Sequence, residues 1–224
     1  MRDEQDAGID GLRLVLVRHG QTDANVRREL DTVPPGSPLN ALGLRQAVSV
    51  AEVLAGWPVR AVYASRAIRA QQTAAPVAAT HRLGVTVLDG VHEVLVGELE
   101  GRSDLPARTA FDEVYDAWWG GDLDRRLPGG ESALDLRARF LPAVDRIVAR
   151  SNGERGAVVL VSHGAAIRLA AAALLGELAE TQYVPNTGRV VLAHDPGAPT
   201  GWSLSHWDSG PPLIGDVTAG AAPA

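Results

Sequence analysis

The chain has 224 residues, 46% of them hydrophobic and only 4% aromatic, which suits one domain with a core built from Ala, Val and Leu. Its net charge of −6 argues against nucleic acid as a partner, because phosphate backbones select basic surfaces. The absence of cysteine excludes disulfides, cysteine–zinc sites and a thiolate phosphatase mechanism.

Residues 1–11 are polar and acidic, and read as an N-terminal tail, not as a secretory signal. Leu12–Val17 is a short apolar run suited to a buried strand, and like Ala157–Val161 it is far too short to span a bilayer. No membrane partner is expected, and a cytoplasmic location follows as the expectation. Asn40 is placed to cap a helix running to about Ala55, with Gly56 as its stop. Val59–Ala64 reads as a second strand, and Ser65 as the cap of a helix through about Thr80. Val85–Leu88 is a third strand, followed by helices over Phe111–Trp119 and Ser132–Arg150, the second with a kink expected at Pro142. Val158–Val161 is a fourth strand, followed by an Ala-rich helix over Ala165–Leu175 that Gly176 ends. Val190–Ala193 and Trp202–His206 read as late strands, and residues 208–224 as a flexible C-terminal tail. Apolar strands alternating with helices indicate an α/β protein: a three-layer α/β/α sandwich on a mainly parallel sheet. A small helical cap over about residues 94–131 completes a single domain spanning residues 12–207.

One pattern occurs twice. Val17-Arg18-His19-Gly20 and Val161-Ser162-His163-Gly164 each place a histidine just past a strand, before a glycine that lets the backbone turn. In open α/β sheets the carboxyl ends of the strands are where ligands bind. Arg18 lies beside the first histidine, and Arg69 sits near the start of a helix whose N-terminus faces the same edge. Two arginines and two histidines there make a local cationic pocket inside an acidic protein, and guanidinium forks match phosphate oxygens in pairs.

These residues resemble the histidine phosphatase superfamily, the phosphoglycerate mutase-like group. Six blocks carry the likeness in family order over roughly residues 12–192. They are Val17 to Thr22 with Asn25, Pro38 to Ala47, Ser65 to Ala74, His92 to Gly101, Gly129 to Ser132, and Val161 to Gly164. The resemblance implies that His19 is the nucleophile, forming a phosphohistidine. It implies that Arg18, Arg69 and His163 hold the phosphoryl group, and that Glu93 is the proton donor. Gln21, Thr22 and Asn25 correspond to pocket residues that touch substrate. No metal or organic cofactor is implied; the partner is a small phosphorylated metabolite, and a homodimer is an expectation.

Neutral imidazole is a good nucleophile near neutral pH, its ordinary pKa being about 6.5. Arg18, Arg69 and a protonated His163 are expected to offset the phosphoryl charge. Glu93 is picked from the neighbouring Glu98 and Glu100 by its spacing to Gly97 and Gly101. The phosphoglycerate mutases of the family it resembles carry a longer insertion here with a substrate-clamping run of Arg, Tyr and Pro; the stretch from Glu93 to Ser132 is short and lacks that run, so the resemblance implies hydrolysis. The alternatives are a cofactor-dependent phosphoglycerate mutase and a catalytically silent binder of phosphorylated ligands. Trp118 and Trp119, adjacent and large, are expected to pack the cap onto the body.

Overall fold

Alternation of side chains along the central strands builds two cores from one sheet. Leu12, Leu14 and Leu16 fall in one apolar cluster, and Val15 and Val17 in the other. The same division recurs in the fourth strand, where Val158 and Leu160 face one side and Ala157, Val159 and Val161 the other. In the computed structural model the described residues are 11–151, 154–176 and 183–208. Apart from Gly11 and Asp208, the segments read as tails lie outside them.

The strands are β1 (Leu12–Arg18), β2 (Val59–Ala64), β3 (Val85–Val87), β4 (Gly156–Ser162), β5 (Arg189–His194) and β6 (Trp202–Trp207). The helices are α1 (Asp23–Arg27), α2 (Ala41–Leu54), α3 (Ile68–Thr80), α4 (Leu105–Trp119), α5 (Ala133–Arg150) and α6 (Gly164–Leu175). The sheet order is β3-β2-β4-β1-β5-β6. β1, β2, β3 and β4 pair in parallel, and β5 runs against both β1 and β6. Helices α2 and α3 cover the valine face, while α4, α5 and α6 cover the leucine face. This is the expected three-layer arrangement on a mainly parallel sheet.

Local chemistry fixes the helix starts near the histidines. Asn40 Oδ1 accepts from Gly43 N at 2.9 Å and caps α2 as expected. Ser132 caps α5 in a capping box with Asp135, and α5 continues through Pro142. Gly176 takes the left-handed conformation that closes α6. Ser65 does not cap α3: the cap position is Ala67, with no side-chain bond, because the buried Ser65 hydroxyl is engaged by His163. Helix α4 begins at Leu105, six residues before the expected start, because Asp104 accepts from Ala107 N and Pro106 occupies the first turn. Helix α4 is anchored by Phe111, Tyr115 and Trp118, which join the main core, while Trp119 packs against it partly buried.

Candidate active site

The register of β1 against β4 creates the site. Arg18 and Ser162 are direct partners in the parallel ladder, so the chain leaves the sheet side by side at His19 and His163. His19 N donates to Ser162 O at 3.0 Å, which ties the two strand ends together. The two imidazole rings stand edge to face, with centroids 5.1 Å apart. Both are buried, as are Arg18 and Arg69.

The turn after His19 rests on α2 and α3. Gly20 N donates to Thr73 Oγ1 at 3.0 Å, and Gln21 N to Gln46 Oε1 at 2.7 Å. Gly43, in the first turn of α2, approaches so closely that a Cβ there would lie 2.1 Å from Gln21 O. From the other side Asn186 Nδ2 donates to His19 O at 2.9 Å. The histidine is therefore held through its backbone by three separate elements.

Hydrogen bonds assign the protons. His19 Nδ1 lies 2.7 Å from Gly20 O and donates to it, leaving Nε2 with its lone pair. Arg69 Nε, which can only donate, lies 3.1 Å from that Nε2. Arg69 Nη2 also donates to His163 Nδ1 at 3.2 Å, so the proton of His163 sits on Nε2 and is donated to Ser65 Oγ at 2.7 Å. One guanidinium thus bridges two neutral imidazoles.

The electrostatics agree with this assignment. Burial, and after it Arg69 and Arg18, hold the His19 pKa well below 6.5. Burial also depresses His163, with Arg69, His19, His92 and Arg139 adding to the effect. In this site without phosphate His163 is held neutral: its Nδ1 accepts from Arg69 and a buried cation there is disfavoured. Burial lowers the Arg69 pKa, while Asp31, Glu93 and Glu100 act to hold it up.

Glu93 sits at the N-terminus of α6. Its Oε1 accepts from Val94 N at 2.8 Å and from Ala166 N at 2.9 Å, and Oε2 accepts from Ala165 N at 3.2 Å. Oε2 is the less committed oxygen, its one bond coming from Ala165, two residues beyond His163. Of its rivals, Glu98 is exposed, and Glu100 accepts from the backbone of Thr32 and Val33. The loop bearing Glu93 is clamped by Arg139 of α5, which donates to the carbonyls of Gly90, His92 and Glu93, each at 2.8 Å. The same guanidinium grips Glu131 through two bonds, at 2.8 and 2.7 Å.

Arg18 donates through Nη1 to Tyr183 Oη at 2.8 Å and Val184 O at 2.9 Å, and lies 5.6 Å from the centre of the Tyr183 ring. Thr22 caps α1 with its hydroxyl, and Asn25 Oδ1 answers by accepting from Thr22 N at 3.1 Å. Gln21 Oε1 accepts from Asn40 Nδ2 at 3.0 Å. Thr22 and Asn25 are thus committed to each other, and the Gln21 side chain to the residue that caps α2. Sequence reasoning missed Ser65 as a partner of His163, and missed Asp31, Asn186, Tyr183 and Arg139 altogether. Each lies far in sequence from the histidine or arginine it touches, so only the fold could disclose it. Among the described residues no group of three His, Asp or Glu side chains is arranged to hold a metal ion. No described helix is long and apolar enough to cross a membrane.

Comparison with known proteins gives a consistent picture. A family model described as the histidine phosphatase superfamily (branch 1) matches residues 14–208. A glucosyl-3-phosphoglycerate phosphatase of Mycolicibacterium vanbaalenii is 32% identical over 92% of this chain and 98% of its own length. A metal-independent phosphoserine phosphatase of Arabidopsis thaliana is 35% identical over 69% of this chain and 65% of its own length. PE-PGRS family protein PE_PGRS11 of Mycobacterium tuberculosis is 32% identical over 91% of this chain, which spans only 38% of that longer protein. Among solved structures, a mycobacterial glucosyl-3-phosphoglycerate phosphatase in complex with VO3 superimposes with a TM-score of 0.76 at 30% identity, covering 88% of this chain and 99% of that one.

Proposed function

The chain belongs to the histidine phosphatase superfamily, and from the geometry of its site we propose that it hydrolyses a small phosphorylated metabolite through a phosphohistidine on His19, without a metal. The observation that carries this is Arg69, buried and donating to His19 Nε2 at 3.1 Å and to His163 Nδ1 at 3.2 Å. A phosphoryl group entering between the imidazoles takes those N–H groups for its oxygens and leaves the Nε2 lone pair bare.

The reaction then proceeds in two displacements. Nε2 attacks phosphorus as the bond to the leaving oxygen breaks, and Glu93 acts as the acid that hands that oxygen a proton. Water next attacks the phosphohistidine, Glu93 takes back a proton, and the N–P bond breaks to release inorganic phosphate. Arg18, Arg69 and His163 hold the equatorial oxygens during both steps. With phosphate drawing the guanidinium away, His163 Nδ1 becomes available to a proton, so the charge expected from sequence belongs to the occupied site. Gln21, Thr22 and Asn25 form the wall that faces the leaving group.

The two phosphatases named above act on a glycerate ester and on a serine ester, both carrying a carboxylate near the phosphate. We extend that to this chain as its substrate class: a phosphomonoester of a short hydroxy acid or of its glycoside. We place the enzyme in the cytoplasm and as a homodimer, the latter supported by the exposed apolar strip of Ile68 and Val87 beside edge strand β3. Turnover of p-nitrophenyl phosphate undiminished by EDTA, and lost in His19→Ala, tests the chemistry. Competition between glucosyl-3-phosphoglycerate, phosphoserine and glucose 1-phosphate, ranked by kcat/KM, tests the substrate class.

A further inference from the structure

Arg69 is already held by an anion that belongs to the protein. Its Nη1 lies 3.3 Å from Asp31 Oδ2, and its Nη2 donates to Asp31 O at 2.8 Å. The pair is shielded, with side-chain exposures of 3% for Arg69 and 14% for Asp31, so solvent screens it little. Asp31 is also fixed in place: Ser37 N donates to its Oδ2 at 2.9 Å. Pro35 O accepts from Ile68 N at 2.9 Å, which ties the loop of residues 31–37 to the start of α3. At its far side Glu100 accepts from Thr32 N and Val33 N. Gly36, with φ of +63°, presses so closely that a Cβ there would meet Arg69 Nη1 at 2.3 Å and Asp31 Oδ1 at 2.9 Å. The loop is a fixed collar that brings a carboxylate to the outer edge of the guanidinium.

We propose that Asp31 is an internal competitor for the phosphate-binding face of Arg69, one that weakens inorganic phosphate and eases product release. The proposal rests on the reading of Arg69 as a phosphate ligand. Each donor edge of Arg69 has a partner: Nε and Nη2 serve the imidazoles, and Nη1 and Nη2 serve Asp31. A phosphate ion can take a two-pronged grip on this guanidinium only by displacing some of those bonds. Glu93 and Glu100 also act on the charge of Arg69 and Arg18 opposes it, but Asp31 is the acid in direct contact. A pocket that binds its substrate through phosphate binds its product through the same atoms. A guanidinium that returns to the fixed carboxylate as phosphate leaves has a lower affinity for both, and this limits product inhibition.

The test is the inhibition constant of inorganic phosphate against p-nitrophenyl phosphate in Asp31→Asn, Arg69→Gln and the double variant. Asparagine keeps an oxygen for the Ser37 amide and removes the charge; Asp31→Ser is the second variant should asparagine disturb the collar. The expected result is phosphate binding about tenfold tighter in Asp31→Asn, the effect of one close and shielded charge pair, with no such gain on the Arg69→Gln background. An unchanged or weaker phosphate constant in both Asp31 variants overturns the proposal, since Asp31 would then only position Arg69. An equal gain on the Arg69→Gln background also overturns it, because the effect would not pass through the guanidinium. Parental phosphate affinity in Arg69→Gln itself would instead remove the assignment of Arg69 as a ligand, and this inference with it.

Discussion

Replacing Ser65 with alanine isolates the bond that holds His163. Both residues have no exposed surface, and Ser65 Oγ lies 2.7 Å from His163 Nε2. The proton on that nitrogen is dictated from the other side, where Arg69 Nη2 can only donate to Nδ1. Without the hydroxyl, Nε2–H is left buried with no partner and no route to water. A buried unsatisfied donor costs about 1–3 kcal/mol. Ala67 N, which donates to the same oxygen at a weaker 3.3 Å, adds little. For a chain of this size each kcal/mol moves the midpoint by about 2–4 °C, so a loss near 2 kcal/mol lowers Tm by roughly 4–8 °C. The imidazole can relieve the strain by rotating or by moving its proton to Nδ1, and either change breaks the bridge to Arg69. A fall in kcat/KM of about tenfold or more is therefore expected, as for a misplaced group in a preorganised site. Urea unfolding gives the stability, and imidazole nitrogen NMR shifts give the tautomer. A variant with parental stability, an unmoved tautomer and full activity would refute the proton assignment and the coupling between Ser65 and Arg69.

Three further outcomes follow from contacts of the same kind. His19 and His163 are held neutral by burial with pKa values below 6.5, whereas the unfolded chain titrates near it. Below that pH the unfolded state binds more protons, so stability is intact above it and falls as the pH drops, by about 1.4 kcal/mol per pH unit for each histidine; urea titrations from neutral to acid pH measure this. The acid limb of kcat/KM should accordingly lie below that of free imidazole, and a limb at or above 6.5 contradicts the depressed His19. Gly43→Ala forces a Cβ to within 2.1 Å of Gln21 O, backbone that cannot step aside, and should cost about 1–3 kcal/mol or more with loss of turnover; thermal melts and p-nitrophenyl phosphate assays check both. Arg139→Met removes the cation from the partly buried Glu131, which keeps its bond from Leu95 N, and frees the Glu93 loop, with a cost of about 1–3 kcal/mol. Its surviving folded fraction should lose more activity toward alkyl phosphates, which need a proton donor, than toward p-nitrophenyl phosphate.

The strands and most helices were legible because their signals are local. Alternating apolar runs mark β1 and β4, and Asn40 and Ser132 announce helix starts by the chemistry of their own side chains. The two strand-end histidines were legible for the same reason, and parallel pairing of β1 with β4 brought them together. What sequence could not disclose is how a residue divides its bonds among distant partners. Ser65 looks like a helix cap in sequence, but a fully buried imidazole 98 residues away is the stronger claimant on its hydroxyl. Asp31 lies in a loop without a motif, and its role depends on a collar closed by Gly36, Pro35 and Glu100. The neutral state of His163 in the absence of phosphate was not legible either, because burial and the direction of the Arg69 donor are properties of the fold.

Trapping the covalent intermediate bears most directly on His19. The enzyme is mixed with a radiolabelled phosphomonoester, quenched within the first turnover, digested and mapped by mass spectrometry. The expected result is a burst of label stoichiometric with active sites, on His19 Nε2, stable in base and labile in acid. Label on another side chain, or undiminished turnover in His19→Ala with no labelled intermediate, would contradict the phosphohistidine route.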